Sequence, residues 1–143
     1  MNDPYNLQRF IDAQDGIFGT ALAELRAGSK QSHWMWFIFP QLSALGRSST
    51  AQFYGISSLG EAQAYLDHSL LGPRLRECVE AILPCAGLLS PEQMLGSTDA
   101  LKLRSNLTLF DQVEPNTLFA AALAAFFGGV PDERTLAILN GQR

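Results

Sequence analysis

SLGEAQAYLDHSLLGPRLRECVEAIL, residues 58–83, decides the fold class. It opens with Ser58-Leu59-Gly60-Glu61, which reads as a capping box. The Ser58 hydroxyl bonds forward to an orphan amide, and the Glu61 carboxylate reaches back. Behind that cap, Ala62, Tyr65 and Leu66 share one face of a helix. A second helix is predicted over about 70–83, because Leu71, Leu75, Val79 and Ile82 recur at helical intervals. Pro84 ends it.

The same signals extend in both directions. Asp3-Pro4 opens a first helix, with Asp3 accepting from first-turn amides and Pro4 at the first helical position. Leu7, Phe10 and Ile11 fall on one face, and Asp15-Gly16 breaks the pattern. A helix over 17–27 follows, terminated by Gly28. A short helix is expected over 48–54. Ser90-Pro91-Glu92 starts another that stops at Gly96, and Ser97 or Thr98 caps the next. Pro115-Asn116-Thr117 begins a strongly apolar helix through Phe127, ended by Gly128-Gly129. Its lack of a polar side predicts burial on nearly all faces. Pro131-Asp132-Glu133 begins a last helix, to about Leu139. Only residues 36–39 and 54–56 lean toward strand. The expected fold is all-α: a single helical domain over 1–143, an orthogonal bundle of seven or eight helices with little or no strand. Its outer helices would wrap the Leu118–Phe127 helix and the aromatic run described below.

The chain has 143 residues, 47% of them hydrophobic and 17% charged, with a net charge of −4. A chain of this length suits one domain and buries a core without metals or disulfides. Its acidic balance argues against nucleic acid or an anionic membrane as partner. The apolar Leu118–Val130 segment is too short to span a bilayer. Met1-Asn2-Asp3-Pro4 lacks a basic region followed by an apolar core, so a cytoplasmic location and reduced thiols at Cys78 and Cys85 are expected. The two cysteines and the distant His33 and His68 lack metal-ligand spacing. No metal and no cofactor is expected, and the oligomeric state is not readable.

The densest chemistry lies in KQSHWMWFIFPQ, residues 30–41. Trp34, Trp36, Phe37 and Phe39 fall within six positions, and both tryptophans of the chain are among them. The run shows neither alternation nor clear helical spacing, and Pro40 confines any helix to residues before Phe39. So apolar a segment leaves water and holds Lys30, His33 and Gln41 beside the core. It forms either the wall of a ligand pocket or the plug of the core.

Five segments together resemble one family: Lys-x-x-His-Trp-Met-Trp-Phe-Ile-Phe-Pro-Gln at 30–41, Gly-Arg-Ser-Ser at 46–49, Ala-Gln-Phe-Tyr-Gly-Ile at 51–56, Leu-Gly-Pro-Arg-Leu at 71–75 and Lys-Leu-Arg-Ser-Asn-Leu-Thr-Leu-Phe at 102–110. The chain resembles the bacterial family known as domain of unknown function 1810, often mislabelled calpastatin. The resemblance runs from Asp3 to the last helix. It implies a small, mostly helical, single-domain cytoplasmic protein and carries no catalytic residue with it. An acidic, compact chain is unlike a calpain inhibitor, which would be disordered and polar.

Candidate residues come from three places. His33, beside Trp34, suits a general acid or base, or a histidine that bonds a backbone carbonyl at the edge of the core. It is the one catalytic candidate. Gly46-Arg47-Ser48-Ser49-Thr50 opens a predicted helix with hydroxyls and a guanidinium, suiting either phosphate or ordinary capping by Ser48 or Ser49. Asp99 and Lys102 share a helix side, and Lys102 or Arg104 could tie down a carboxylate or loop. Lys30, His33, Trp34, Gln41, Arg47, Ser48, Lys102 and Arg104 form the expected ligand-binding set. The first functional reading is a domain that binds a small anionic or nucleotide-like molecule, in a pocket lined by Trp34, Trp36 and Gln41 with Lys30, Arg47 and Arg104 for the anionic group. The second is a hydrolase-type enzyme acting on a nucleotide-derived metabolite, with His33 and Asp12, Asp15 or Glu24 as acid and base. The third is a protein-interaction module that uses the aromatic segment.

Overall fold

Asp3 does cap the start of the chain, but the helix begins later than Pro4. In the computed structural model, which describes residues 2–142, Asp3 Oδ1 accepts from the Leu7 amide (2.8 Å) and Oδ2 from the Gln8 amide (3.0 Å). Asn6 takes a left-handed turn conformation (φ 53°) just before, and helix α1 spans Gln8–Gln14. Helix α2, Phe18–Ala27, ends at Gly28, where φ is 67°. There the Ser29 amide bonds the Glu24 carbonyl and the Gly28 amide bonds that of Leu25, which completes a Schellman cap.

The aromatic run forms one helical turn, α3, Met35–Ile38. Trp34, Met35, Ile38 and Phe39 are buried, whereas Trp36 and Phe37 are half-buried. Positions i, i+1, i+4 and i+5 therefore face inward at helical spacing. The sequence hides that period because 36 and 37 are aromatic too. The chain then crosses itself. Leu42 and Ile56 form an isolated parallel bridge, with Ile56 donating to the Gln41 carbonyl (2.8 Å) and Ser43 donating to that of Ile56 (2.9 Å). Gly55 is required there, because a Cβ would lie 2.3 Å from Ser43 Cα.

Helix α4 (Ser49–Phe53) is capped by Ser48 and α5 (Leu59–Asp67) by Ser58. The expected capping box at Ser58 is only half made. Ser58 Oγ accepts from the Glu61 amide (3.2 Å), but the Glu61 carboxylate accepts from Ser57 and from Arg9 instead. A buried guanidinium is a stronger partner for a carboxylate than one more amide. His68 Nδ1 accepts from the Leu70 and Leu71 amides at the start of α6, Leu71–Ile82. Pro84 ends α6 in a tight 3₁₀ turn. A complete capping box, Ser90 with Gln93, starts α7 (Pro91–Leu95). Helix α8 spans Ser97–Val113 and enters from Gly96 with no side-chain cap, so neither Ser97 nor Thr98 serves as one. Helices α9 (Leu118–Phe127) and α10 (Glu133–Gly141, capped by Asp132) complete the chain.

The fold is all-α, and one bridge is its only strand-like pairing among the described residues. Ten α-helices are present among the described residues rather than seven or eight. The short helices expected over 48–54 and from Ser90 to Gly96 are present as α4 and α7; the piece not expected is the single turn α3, too short to carry a period. No helix among the described residues is long and apolar enough to cross a membrane. One hydrophobic core runs through the bundle. Its axis is α8, not α9: α8 packs against α5, α7, α9 and α10, and residues 105–110 are all buried.

The apolar helix α9 buries only Phe119, Ala122 and Leu123. Ala121, Ala124 and Ala125 face solvent, so the expectation of burial on nearly all faces is corrected. Alanine contributes little area to a core, so its helix face gains little from being covered. The less apolar α8 takes the centre with three of its buried polar side chains bonded to backbone carbonyls. The Ser105 and Thr108 hydroxyls bond the carbonyls four residues back, and Asn106 Nδ2 donates to the Pro40 carbonyl (2.7 Å).

Candidate functional site

The site begins with Glu24, which shapes the loop leading into the aromatic run. The Schellman cap at Gly28 turns the chain back over the end of α2, so residues 31–34 face the Glu24 side chain. Glu24 Oε1 accepts from the Gln31 amide (2.7 Å), the Ser32 amide (2.9 Å) and Trp34 Nε1 (2.9 Å), and Oε2 accepts from the Ser32 hydroxyl (2.7 Å). Burial alone would raise the carboxyl pKa. The donors from Gln31, Ser32 and Trp34 outweigh it and hold the group down at about 2. The Lys30 amide also donates to the Met94 carbonyl (2.9 Å), which fastens the loop to α7.

That loop carries Lys30 to the start of α8. Lys30 Nζ lies 3.0 Å from Asp99 Oδ2, and Lys102 Nζ lies 3.3 Å from Asp99 Oδ1. The three side chains are only 11%, 18% and 20% exposed for Lys30, Asp99 and Lys102. Each ammonium also stands over an indole. Lys30 is 5.2 Å from the Trp34 ring centre, and Lys102 is 5.0 Å from that of Trp36. Contacts of this kind contribute about 0.5–2 kcal/mol. Two cations share one carboxylate, so the cluster keeps one positive charge in a chain of net charge −4. One turn beyond Lys102, Asn106 is fully buried and its Oδ1 has no hydrogen-bond partner among the described residues.

The expected site residues divide into groups. Lys30, Trp34 and Lys102 come together, with Trp34 wholly inside the core. His33 lies on the exposed side of the same loop. Gln41 is half-buried, and its carbonyl is engaged by Ile56. Arg104 turns away from Lys102, as two helical positions about 200° apart must. Its Nε donates to the Val130 carbonyl (2.9 Å), and its guanidinium lies over Phe127. Ser48 Oγ accepts from the Ala51 amide as an ordinary cap. Arg47 is exposed and rims a separate cavity with Arg134. Asp12 and Asp15 are exposed on the first helix and just after it.

Two residues of this site, Asp99 and Asn106, lay outside the expected pocket, whereas Trp36 was among its expected lining. Asp99 was visible as a helix neighbour of Lys102, but nothing local signals that Lys30 arrives from the other side. Trp36 meets Lys102, and Asn106 meets the Pro40 carbonyl, only in the folded chain. Both cysteines are free thiols, and burial pushes that of Cys78 up to about 12.

The sequence profile of a family described as "Protein of unknown function (DUF1810)" matches residues 4–139. The crystal structure of the conserved hypothetical protein Rv1873 from Mycobacterium tuberculosis is similar to this one, with a TM-score of 0.93 and 51% sequence identity. The match covers 96% of this chain and 99% of that one. No curated protein matches the chain.

Proposed function

The chain belongs to the DUF1810 family of proteins of unknown function, and from the geometry of the site we propose that it is a binding domain for a small anionic, nucleotide-like metabolite. The observation that carries this reading is the Lys30–Asp99–Lys102 cluster. Two partly buried ammonium groups share a single carboxylate, and a half-buried indole stands beside them. Like charges held close in a poorly hydrated place repel, and one carboxylate cannot satisfy both. A phosphate replaces the missing negative charge, and lysine binds it as a point charge. Trp36 offers its ring to an aromatic base on the solvent side.

Binding fits the other groups better than catalysis. All four Glu24 interactions use its ionised form, and its low pKa leaves no proton to donate near neutral pH. The interaction reading is less supported, because most of the aromatic segment is spent on the core.

Tryptophan fluorescence tests the proposal. Pyrophosphate and ATP are expected to change the emission saturably, since Lys102 lies over Trp36. Lys102→Met keeps the packing of the aliphatic stem and is expected to weaken binding at least tenfold, about 1.4 kcal/mol. A flat titration at millimolar ligand, or equal affinity in the variant, overturns the reading.

A further inference from the structure

The cavity rimmed by Arg47 and Arg134 lies apart from the cluster just described. It has a volume of about 380 Å³ and lies between the 3₁₀ turn Ser43–Leu45 and α10. Its apolar floor is the half-buried Leu45 and Ile138, flanked by the exposed Ala44 and Ala137, and no carboxylate lines it. Arg47 makes no hydrogen bond or ion pair among the described residues. Arg134 has one loose contact, at 3.9 Å, to Asp132 Oδ1, while Asp132 Oδ2 is occupied by Thr135. In an acidic protein, two guanidiniums left facing one apolar hollow are conspicuous.

We propose that this cavity binds a small amphiphilic anion, a carboxylate carried on a short hydrocarbon body. The charge and the floor select for different halves of such a molecule. Guanidinium groups present paired donors whose spacing matches a carboxylate, so the head is held on the rim. The hydrocarbon body covers Leu45, Ile138 and the two alanines and leaves water. The volume suits a small ligand and not a folded partner. A free monomeric molecule fits better than a membrane surface, because the chain carries a net charge of −4 and an anionic bilayer repels it. This site does not depend on the Lys30–Lys102 reading, because it shares no residue with it.

Isothermal titration with octanoate below its micellar range tests the proposal on the whole chain. Saturable one-site binding is expected, with acetate and octanol each at least tenfold weaker, since each lacks half of the molecule. The Arg47→Gln/Arg134→Gln pair changes two exposed side chains and is expected to lose at least tenfold in affinity. Ala137→Glu, which puts a carboxylate against the floor, is expected to abolish binding. Lys102→Met is expected to leave octanoate binding unchanged, which separates failure of this site from failure of the other. Octanol binding as tightly as octanoate, or unchanged affinity in the double arginine variant, overturns the proposal. So does co-sedimentation with anionic vesicles without binding of free octanoate.

Discussion

Arg9→Ala is expected to be the most damaging exchange of a charged residue in the protein, costing about 3–5 kcal/mol. Every donor of this guanidinium is used. Nε donates to the Phe53 carbonyl, Nη1 to those of Tyr5 and Asn6, and Nη2 to the Gly55 carbonyl and to Glu61 Oε2 at 2.7 Å. The Arg9 and Glu61 side chains are only 9% and 3% exposed. Removing the arginine leaves Glu61 buried and charged, with Ser57 alone to satisfy it. It also removes the side-chain donor from the Tyr5 carbonyl before α1 and from the Phe53 and Gly55 carbonyls near the crossing, while the Asn6 carbonyl keeps the amide of residue 9. The loss takes a large share of the 5–15 kcal/mol that holds a domain together. Urea unfolding measures it. An apolar pair, Arg9→Met with Glu61→Leu, is expected to be less damaging than Arg9→Ala alone, because it buries no orphan charge. A single variant as stable as the parent would show that the pair contributes nothing.

Glu24→Ala is expected to cost about 2–4 kcal/mol, since it removes the acceptor of four hydrogen bonds to a charged group. It is also expected to release the Lys30–His33 loop. The pH dependence follows from the same group. Its folded-state pKa, about 2, lies below the ordinary value of 4.5. The stabilisation is therefore complete above about 4.5 and is lost as pH falls toward 2. Thermal melting between pH 6 and pH 2 is expected to fall less steeply in Glu24→Gln than in the parent. Parallel curves would mean that Glu24 is not the group responsible.

The helices that could be read from the sequence were those with a cap and a period. The Leu71–Ile82 stripe, the Gly28 stop and the Ser90 cap all appear where the residues predict them. What could not be read was tertiary. Glu61 has the right spacing for a capping box, but a buried arginine 52 residues earlier claims its carboxylate. The α9 sequence is more apolar than that of α8, yet α8 takes the centre, because side-chain area rather than average hydropathy decides burial. At the site, Lys30 and Lys102 were both visible as conspicuous cations. Their meeting at Asp99 depends on the Glu24-organised loop, a contact between segments that no local pattern encodes. Arg47 and Arg104 were equally conspicuous, but the packing carries Arg104 to the Val130 carbonyl and Phe127 and leaves Arg47 at a separate cavity.

The most direct test of the anion-binding account is the affinity of Asp99→Asn for pyrophosphate, measured by isothermal titration against the parent protein. Asparagine keeps the shape of the side chain and removes the one negative charge that competes for Lys30 and Lys102. If the cluster is an anion site held in reserve by Asp99, the variant is expected to bind pyrophosphate several-fold more tightly. Its melting temperature without ligand should fall, and pyrophosphate should restore it. If the three side chains only tie the Lys30 loop to α8, the variant will melt lower and bind pyrophosphate no better than the parent, and that result contradicts the account.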